Sequence, residues 1–265
     1  MKIDRQGVAL NVRVDGPDDG PVIMFANSLG SHLHLWDQVV ALLPDGLRVV
    51  RYDMRGHGGS DAPEGPYTMG QLVSDAEAVC DALDVRDCLF VGLSVGGMVA
   101  QGLAVKRPDI IRAMVLSNTA AKIGNGTFWQ DRIANIERVG LDGIADEVMT
   151  RWFGRDFLAT PAVAQWRAML TQTPQNGYIG VCAAIAGTDF YTPTSGLRLP
   201  TLGIAGSEDA TTPPDLVRET VDLIPGSQFA LMRRAGHLPC VEDPQEYAAL
   251  LHQFMAETGH LAPDP

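Results

Sequence analysis

Gly92-Leu93-Ser94-Val95-Gly96-Gly97 follows the apolar run Cys88-Leu89-Phe90-Val91 and leads into Met98-Val99-Ala100. The run before it reads as a buried strand, and residues 95–105 after it read as a buried helix. A serine between two glycines at a sharp strand-to-helix turn is the G-x-S-x-G pattern of an exposed nucleophile. The spacing has a physical reason. The turn strains Ser94, and Gly92 and Gly96 omit the side chains that would crowd it. The hydroxyl then stands clear of the sheet edge. The Val95 N–H points the same way from a helix N-terminus, where developing negative charge is favoured. Residues 88–105 carry no charge, which approaches the lower limit of a membrane span. Ser94, Gln101 and four glycines within them favour a buried strand–helix unit instead.

Similar short apolar runs recur at 22–25, 49–52, 114–116, 201–205 and 229–232. Most lack alternation, as expected for strands covered on both faces. Helical patterns lie among them at 36–43, 72–83, 216–224 and 247–255. Such alternation implies a parallel sheet with right-handed crossovers. Residues 8–14 do alternate and are followed by Asp15-Gly16-Pro17-Asp18-Asp19-Gly20-Pro21, which reads as an antiparallel hairpin at the sheet edge. The pattern breaks over 122–192. There, helical stretches carry Trp129, Trp152 and Trp166 together with Arg132, Arg138, Arg151, Arg155 and Arg167. We read 122–192 as a helical cap inserted into a core made of 1–121 and 193–265.

The chain of 265 residues is 46% hydrophobic and 20% charged, enough to bury a large core. Its net charge of −12 disfavours a nucleic-acid partner and an anionic membrane surface. Cys80, Cys88, Cys182 and Cys240 are scattered without metal-ligand spacing, so no metal is expected. They read as buried thiols of a reducing compartment, and the N-terminus has no apolar core of a signal peptide. Both point to the cytoplasm.

A serine hydroxyl needs a base, usually histidine. His237 follows the strand 229–232 in Ala235-Gly236-His237-Leu238-Pro239, where Gly236 frees the loop. The other histidines, His32, His34, His57, His252 and His260, read as surface or packing residues. Asp209, after the strand 201–205, is the candidate acid that orients His237, while its neighbour Glu208 reads as solvent-facing.

At this point the chain resembles the α/β-hydrolase superfamily over nearly its whole length. Besides the nucleophile turn it carries Asp53-Met54-Arg55-Gly56-His57-Gly58-Gly59-Ser60, the D-x-R-G-x-G-x-S loop of that superfamily, and Gly236-His237 with Glu242-Asp243-Pro244 behind it. Arg55 and His57 read as structural. The order Ser94, Asp209, His237 matches that described for the superfamily. Some members take the acid from the strand after the nucleophile helix; here that strand ends in Ser117-Asn118, with no carboxylate. The resemblance implies a mostly parallel eight-stranded sheet flanked by helices, with a helical cap. It also implies an oxyanion hole made by the backbone N–H groups of Val95 and Leu29, the latter in Ala26-Asn27-Ser28-Leu29-Gly30. Asn27 and Ser28 either orient the substrate or cap the turn.

Within the superfamily the chain most resembles the 3-oxoadipate enol-lactonases. Phe25-Ala26-Asn27-Ser28-Leu29-Gly30 with Leu35-Trp36-Asp37 carries the likeness, as does Gly92-Leu93-Ser94-Val95-Gly96-Gly97-Met98. So do Ser117-Asn118-Thr119-Ala120-Ala121-Lys122-Ile123-Gly124, Arg151-Trp152-Phe153, and Gly177-Tyr178 leading to Cys182-Ala183-Ala184. The resemblance implies a small lactone substrate bearing one carboxylate, and no cofactor. Aromatic walls with an arginine fork would hold such an anion. Trp129 and Arg132 lie three apart, on one face of a helix. Arg132 is the first candidate for the carboxylate and Arg151 the second, with Trp152, adjacent to Arg151, expected to diverge from it. A carboxylesterase, a haloperoxidase-like enzyme or a carbon–carbon bond hydrolase would share the same triad, and a ligand receptor could keep the fold without turnover. The oligomeric state is not legible.

Overall fold

The computed structural model describes residues 1–261; positions 262–265 of the core segment 193–265 lie outside the described residues. Among the described residues there are eight strands: β1 (Lys2–Arg5), β2 (Val8–Asp15), β3 (Val22–Ala26), β4 (Arg48–Tyr52), β5 (Cys88–Leu93), β6 (Ile111–Ser117), β7 (Thr201–Gly206) and β8 (Gln228–Met232). They form one sheet in the order β1-β2-β4-β3-β5-β6-β7-β8. β1–β2 and β2–β4 are antiparallel and the remaining pairs are parallel. Every residue of β5 and β7 is buried, as their unbroken apolar sequences require between two helical layers.

The helices are α1 (Asp37–Val40), α2 (Met69–Ala82), α3 (Val95–Lys106), α4 (Gly126–Trp152), α5 (Arg155–Leu158), α6 (Val163–Thr171), α7 (Gln175–Ala186), α8 (Tyr191–Ser195), α9 (Pro214–Asp222), α10 (Pro239–Glu242) and α11 (Pro244–Glu257). Local chemistry sets some boundaries. At the start of α2, Thr68 and Gln71 form a reciprocal capping box. The four cysteines are free and buried, and burial pushes the Cys80 and Cys182 thiols up to about 12.

The strand order places the site. From β3 the chain moves to β4 on one side, then returns to β5 on the other. The loops leaving β3 and β5 therefore part at a topological switch point, where parallel sheets open a crevice at the carboxyl ends of their strands.

Two expectations are corrected, and one boundary is located. The edge hairpin is β1–β2, closed by Gln6-Gly7 with both φ values positive (55° and 83°), as a two-residue turn matched to strand twist requires. The link 15–21 instead carries the chain past β4 to β3, and β2 pairs with β4. Residues 36–43 are not one helix: a 3-10 turn (Leu33–Trp36) runs into the single-turn α1. The expected core–cap boundary at 192–193 falls inside α8.

Residues 122–192 hold α4 to α7 and the start of α8, with no strand. Gly140 (φ 73°, ψ 174°) breaks α4 into two helical pieces. α7 meets the 53–60 loop through two glycines, since a Cβ on Gly177 would lie 2.2 Å from the Gly56 carbonyl oxygen. No larger residue fits without separating the two layers. Gly177→Ala is expected to lower stability by about 1–3 kcal/mol, read as a fall in the urea midpoint at unchanged slope. A midpoint equal to wild type would show that this contact yields freely.

Candidate active site

Ser94 sits at the corner between β5 and α3 with φ 57° and ψ −119°, a conformation that costs about 1–3 kcal/mol for a residue with a side chain. The surroundings hold it there. Its N–H donates to the Ser117 carbonyl at 2.9 Å, and its carbonyl accepts from Thr119 Oγ1 at 2.6 Å and from the Gly97 N–H at 2.9 Å. A Cβ on Gly96 would stand 2.3 Å from the Ala26 carbonyl oxygen, so the first turn of α3 lies directly against the end of β3. That contact brings the Val95 N–H and the Leu29 loop to one place. Neither the Leu29 nor the Val95 N–H donates to another group among the described residues.

His237 lies between β8 and α10, and its Nδ1 is 2.8 Å from Asp209 Oδ2. Asp209 follows β7 and is fully wrapped. Its Oδ1 accepts from the N–H groups of Thr211 (2.7 Å) and Thr212 (3.1 Å); its Oδ2 accepts from Thr212 Oγ1 and Asn118 Nδ2, both at 2.8 Å. Burial raises the carboxyl's pKa, but His237 and the side-chain donors outweigh burial and leave it below the usual range. An ionised carboxylate can only accept, so Nδ1 carries the hydrogen and Nε2 is left as the basic nitrogen. No hydrogen bond joins Ser94 to His237 among the described residues; the two side chains line one cavity, and such contacts tighten when substrate arrives.

That cavity lies between the sheet and the helical layer. Ser28, Leu29, Ser94 and His237 line it from the sheet, and Trp129, Arg132, Arg151, Trp152 and Tyr178 from the helical layer. Arg132 is nearly buried; its Nη2 donates to Tyr178 Oη at 3.1 Å, and its Nη1 is 3.5 Å from Glu147. Burial works against the guanidinium charge, but Tyr178 and Glu147 more than offset it and raise its pKa. Arg151 is half-exposed at the rim and is bridged to Glu147 at 3.0 Å.

One expectation changes here. Asn27 does not reach the cavity. Its Nδ2 donates to the Tyr52 carbonyl and its Oδ1 accepts from Trp36 Nε1, both at 2.8 Å, so its polar groups order the loop rather than the substrate. Arg151 and Trp152 diverge as adjacent helical residues do, Trp152 buried and Arg151 half-exposed, and both line the cavity.

The 53–60 loop is structural in its geometry. Asp53 accepts from the Leu33 N–H, the Gly59 N–H and Asn11 Nδ2. Arg55 forks onto buried Asp75 at 2.6 and 2.7 Å. His57 Nε2 accepts from the Gly30 N–H at 2.9 Å, and burial pushes its pKa down to about 4, so it stays a neutral acceptor beneath the Leu29 loop.

Several residues at the site escaped the sequence reading. Tyr178 has a local signal, a lone aromatic in the small-residue helix Gln175–Ala186. Thr212 also has one, as Asp209-Ala-Thr-Thr is a side-chain-to-backbone turn. Glu242 has none. Its Oε1 accepts from the Gly236 N–H (2.6 Å) and its Oε2 from the Gly154 N–H (2.8 Å), while the Trp152 carbonyl accepts from the His237 N–H (2.8 Å). The end of α4 is thus tied to the histidine loop. Among the described residues, no cluster of His, Cys, Asp or Glu is arranged to hold a metal, and no helix is long and apolar enough to cross a membrane.

A family model described as alpha/beta hydrolase fold matches residues 21–244. The chain is 36% identical to 3-oxoadipate enol-lactonase 2 of Acinetobacter baylyi over 91% of each chain. Its structure superposes on the crystal structure of an enol-lactonase from Burkholderia xenovorans with a TM-score of 0.93, at 34% identity over 97% of this chain and 100% of that one. A thermophilic esterase from Thermogutta terrifontis, solved with malate bound, aligns with a TM-score of 0.90 at 26% identity, covering 97% of this chain and 98% of the other.

Burial pushes the Glu242 carboxyl up to about 7; the two N–H bonds oppose the rise, and Glu208 and Asp209 add to it. The folded state therefore holds this proton more tightly than the unfolded chain. Stability tied to the protonated group is full below its unfolded value of 4.5 and is lost as pH rises through about 7. Between about pH 5 and about pH 8 the thermal midpoint of the wild type is expected to fall further than that of Glu242→Gln. Parallel profiles would show that Glu242 is not the source.

Proposed function

The chain belongs to the α/β-hydrolase family, and within it we propose that it opens 3-oxoadipate enol-lactone to 3-oxoadipate through an acyl-enzyme on Ser94. One observation carries the reading: a charged, nearly buried guanidinium, Arg132, lines the same cavity as Ser94 and the Asp209-bonded His237. A neutral ester needs no such group, whereas a small lactone with a carboxylate arm does.

In the proposed reaction His237 Nε2 takes the proton from Ser94 Oγ as the oxygen bonds to the lactone carbonyl carbon. The resulting oxyanion rests on the Val95 and Leu29 N–H groups, each of which is worth about 2.7–4 kcal/mol where such donors have been measured. The ring C–O bond then breaks. The leaving oxygen departs as an enolate, a better leaving group than an alkoxide, and the enolate takes the proton held on His237 Nε2 as it becomes the ketone, which frees Nε2 to act as base again. Water, deprotonated by His237, attacks the acyl carbon and releases Ser94. Arg132 holds the carboxylate arm, with Arg151 at the rim, and Trp129, Trp152 and Ser28 pack around the ring. Residues 122–192 serve as the cap over this cavity. The four unpaired buried thiols favour a cytoplasmic setting.

Ser94→Ala is expected to lower kcat for the enol-lactone at least about a thousandfold with an unchanged circular-dichroism spectrum. Activity within tenfold of wild type would remove Ser94 from the mechanism. Arg132→Leu deletes a charged hydrogen bond worth about 1.5–3 kcal/mol, or about ten- to a hundredfold in kcat/KM. The loss is expected for the enol-lactone and not for 4-nitrophenyl acetate. An equal loss on both substrates, or wild-type preference for the neutral ester, would favour a general esterase of the kind represented by the Thermogutta enzyme.

A further inference from the structure

We propose that Asn118 is a positioning residue for the base, its amide shared between the Asp209 carboxylate and the carbonyl next to His237 so that it sets both the orientation and the basicity of the imidazole. This rests on the reading of Ser94, His237 and Asp209 as the reacting groups.

Asn118 follows the last residue of β6 and is completely buried. Its backbone has φ 43°, a left-handed conformation that asparagine tolerates better than most residues. Its N–H donates to the Ile204 carbonyl at 2.8 Å, which carries the β6–β7 pairing one residue further. The side chain then turns toward the two loops that bear the acid and the base. Nδ2 donates to Asp209 Oδ2 at 2.8 Å and to the Gly236 carbonyl at 3.1 Å, while Oδ1 accepts from Ser117 Oγ at 3.2 Å. The orientation of the amide follows from its partners: a carbonyl oxygen turned toward Asp209 and Gly236 would face two acceptors.

The sharing has an electrostatic consequence. Asp209 Oδ2 is the oxygen that faces His237 Nδ1, and Asn118 is one of its donors. Each donor draws negative charge away from Nδ1, so the carboxylate stabilises the imidazolium less than it would alone. A neutral amide there keeps His237 available as a base without adding a charge of its own. The other groups around His237 stay constant when Asn118 is changed. Thr212 Oγ1 contacts Nδ1 from the Asp209 loop, and Glu242 reaches the Gly236 N–H from α10. Glu208, paired with Arg155, lies beyond Glu242. Arg132 and Arg151 from α4, and Tyr178 from α7, line the cavity.

The test reads the base directly, whatever the natural substrate. Phenylmethanesulfonyl fluoride sulfonylates an activated serine: the Ser94 Oγ–S bond forms, the S–F bond breaks, fluoride leaves and the proton passes to His237 Nε2. The rate is followed by intact mass from about pH 4 to about pH 9, spanning the titration of a histidine. Asn118→Ala removes the donor, and Asn118→Asp replaces it with an acceptor of the same shape that serves if the alanine variant does not fold. In both, the midpoint of the acid limb is expected to move upward by about half a unit or more, and the plateau rate to fall about tenfold. A midpoint that stays put or moves downward overturns the proposal, even with a lowered plateau, because that pattern belongs to a packing role. Wild-type enzyme that is not sulfonylated, or is sulfonylated away from Ser94, sinks the reading of the triad instead.

Discussion

Helix α3 can begin against the end of β3 only because Gly96 has no side chain; a Cβ there would stand 2.3 Å from the Ala26 carbonyl oxygen. This close approach forces the corner at Ser94, whose φ of 57° would relax if the surroundings allowed it. The neighbouring strand does not allow it, since Ser117 and Thr119 hold the Ser94 peptide from the β6 side. The nucleophile, the Val95 N–H and the Leu29 loop are therefore placed by backbone contacts alone. Side chains added later in the chain have only to meet a fixed point.

The second organising feature is the way a strongly acidic chain handles charge inside the site. Buried carboxylates are met by donors: Asp53 by two N–H groups and Asn11, Asp75 by the Arg55 fork, and Asp209 by Thr211, Thr212, Asn118 and His237. His57 is kept neutral by burial and supports Gly30 as an acceptor. The cavity itself receives the opposite sign. Arg132 and Arg151 line it, and Glu147 partly neutralises both from outside, so an entering anion meets a positive wall within a negative molecule.

The end of α4 is bound to the His237 loop. The Trp152 carbonyl, the Gly154 N–H and the carboxylate of Glu242 join the end of α4 to the segment 236–238. On the other side, Gly177 rests on Gly56. Residues that shape the pocket and the His237 loop are thus held in one frame.

Ser94, Asp209 and His237 could be proposed from the sequence because each lies at a strand end beside turn residues, and the parallel sheet collects strand ends on one side. The nucleophile turn was clearest, since its glycines answer a local steric need. The strands were legible from apolar runs, but β1 was not: it is short and half polar, and only pairing with β2 makes it a strand. Asn27 shows the same limit from the other direction. Its type and place suit a substrate contact, yet Trp36 and Tyr52, brought beside it by folding, take both of its polar groups. Glu242 and Asn118 gained their places through partners far along the chain, at Gly154 and at Asp209. Local pattern carried the elements and the proposed reacting groups, because periodicity and turn sterics act over a few residues. The roles of the supporting polar groups came from the folded chain, because a hydrogen-bond partner is chosen by distance in space and leaves no trace in local spacing.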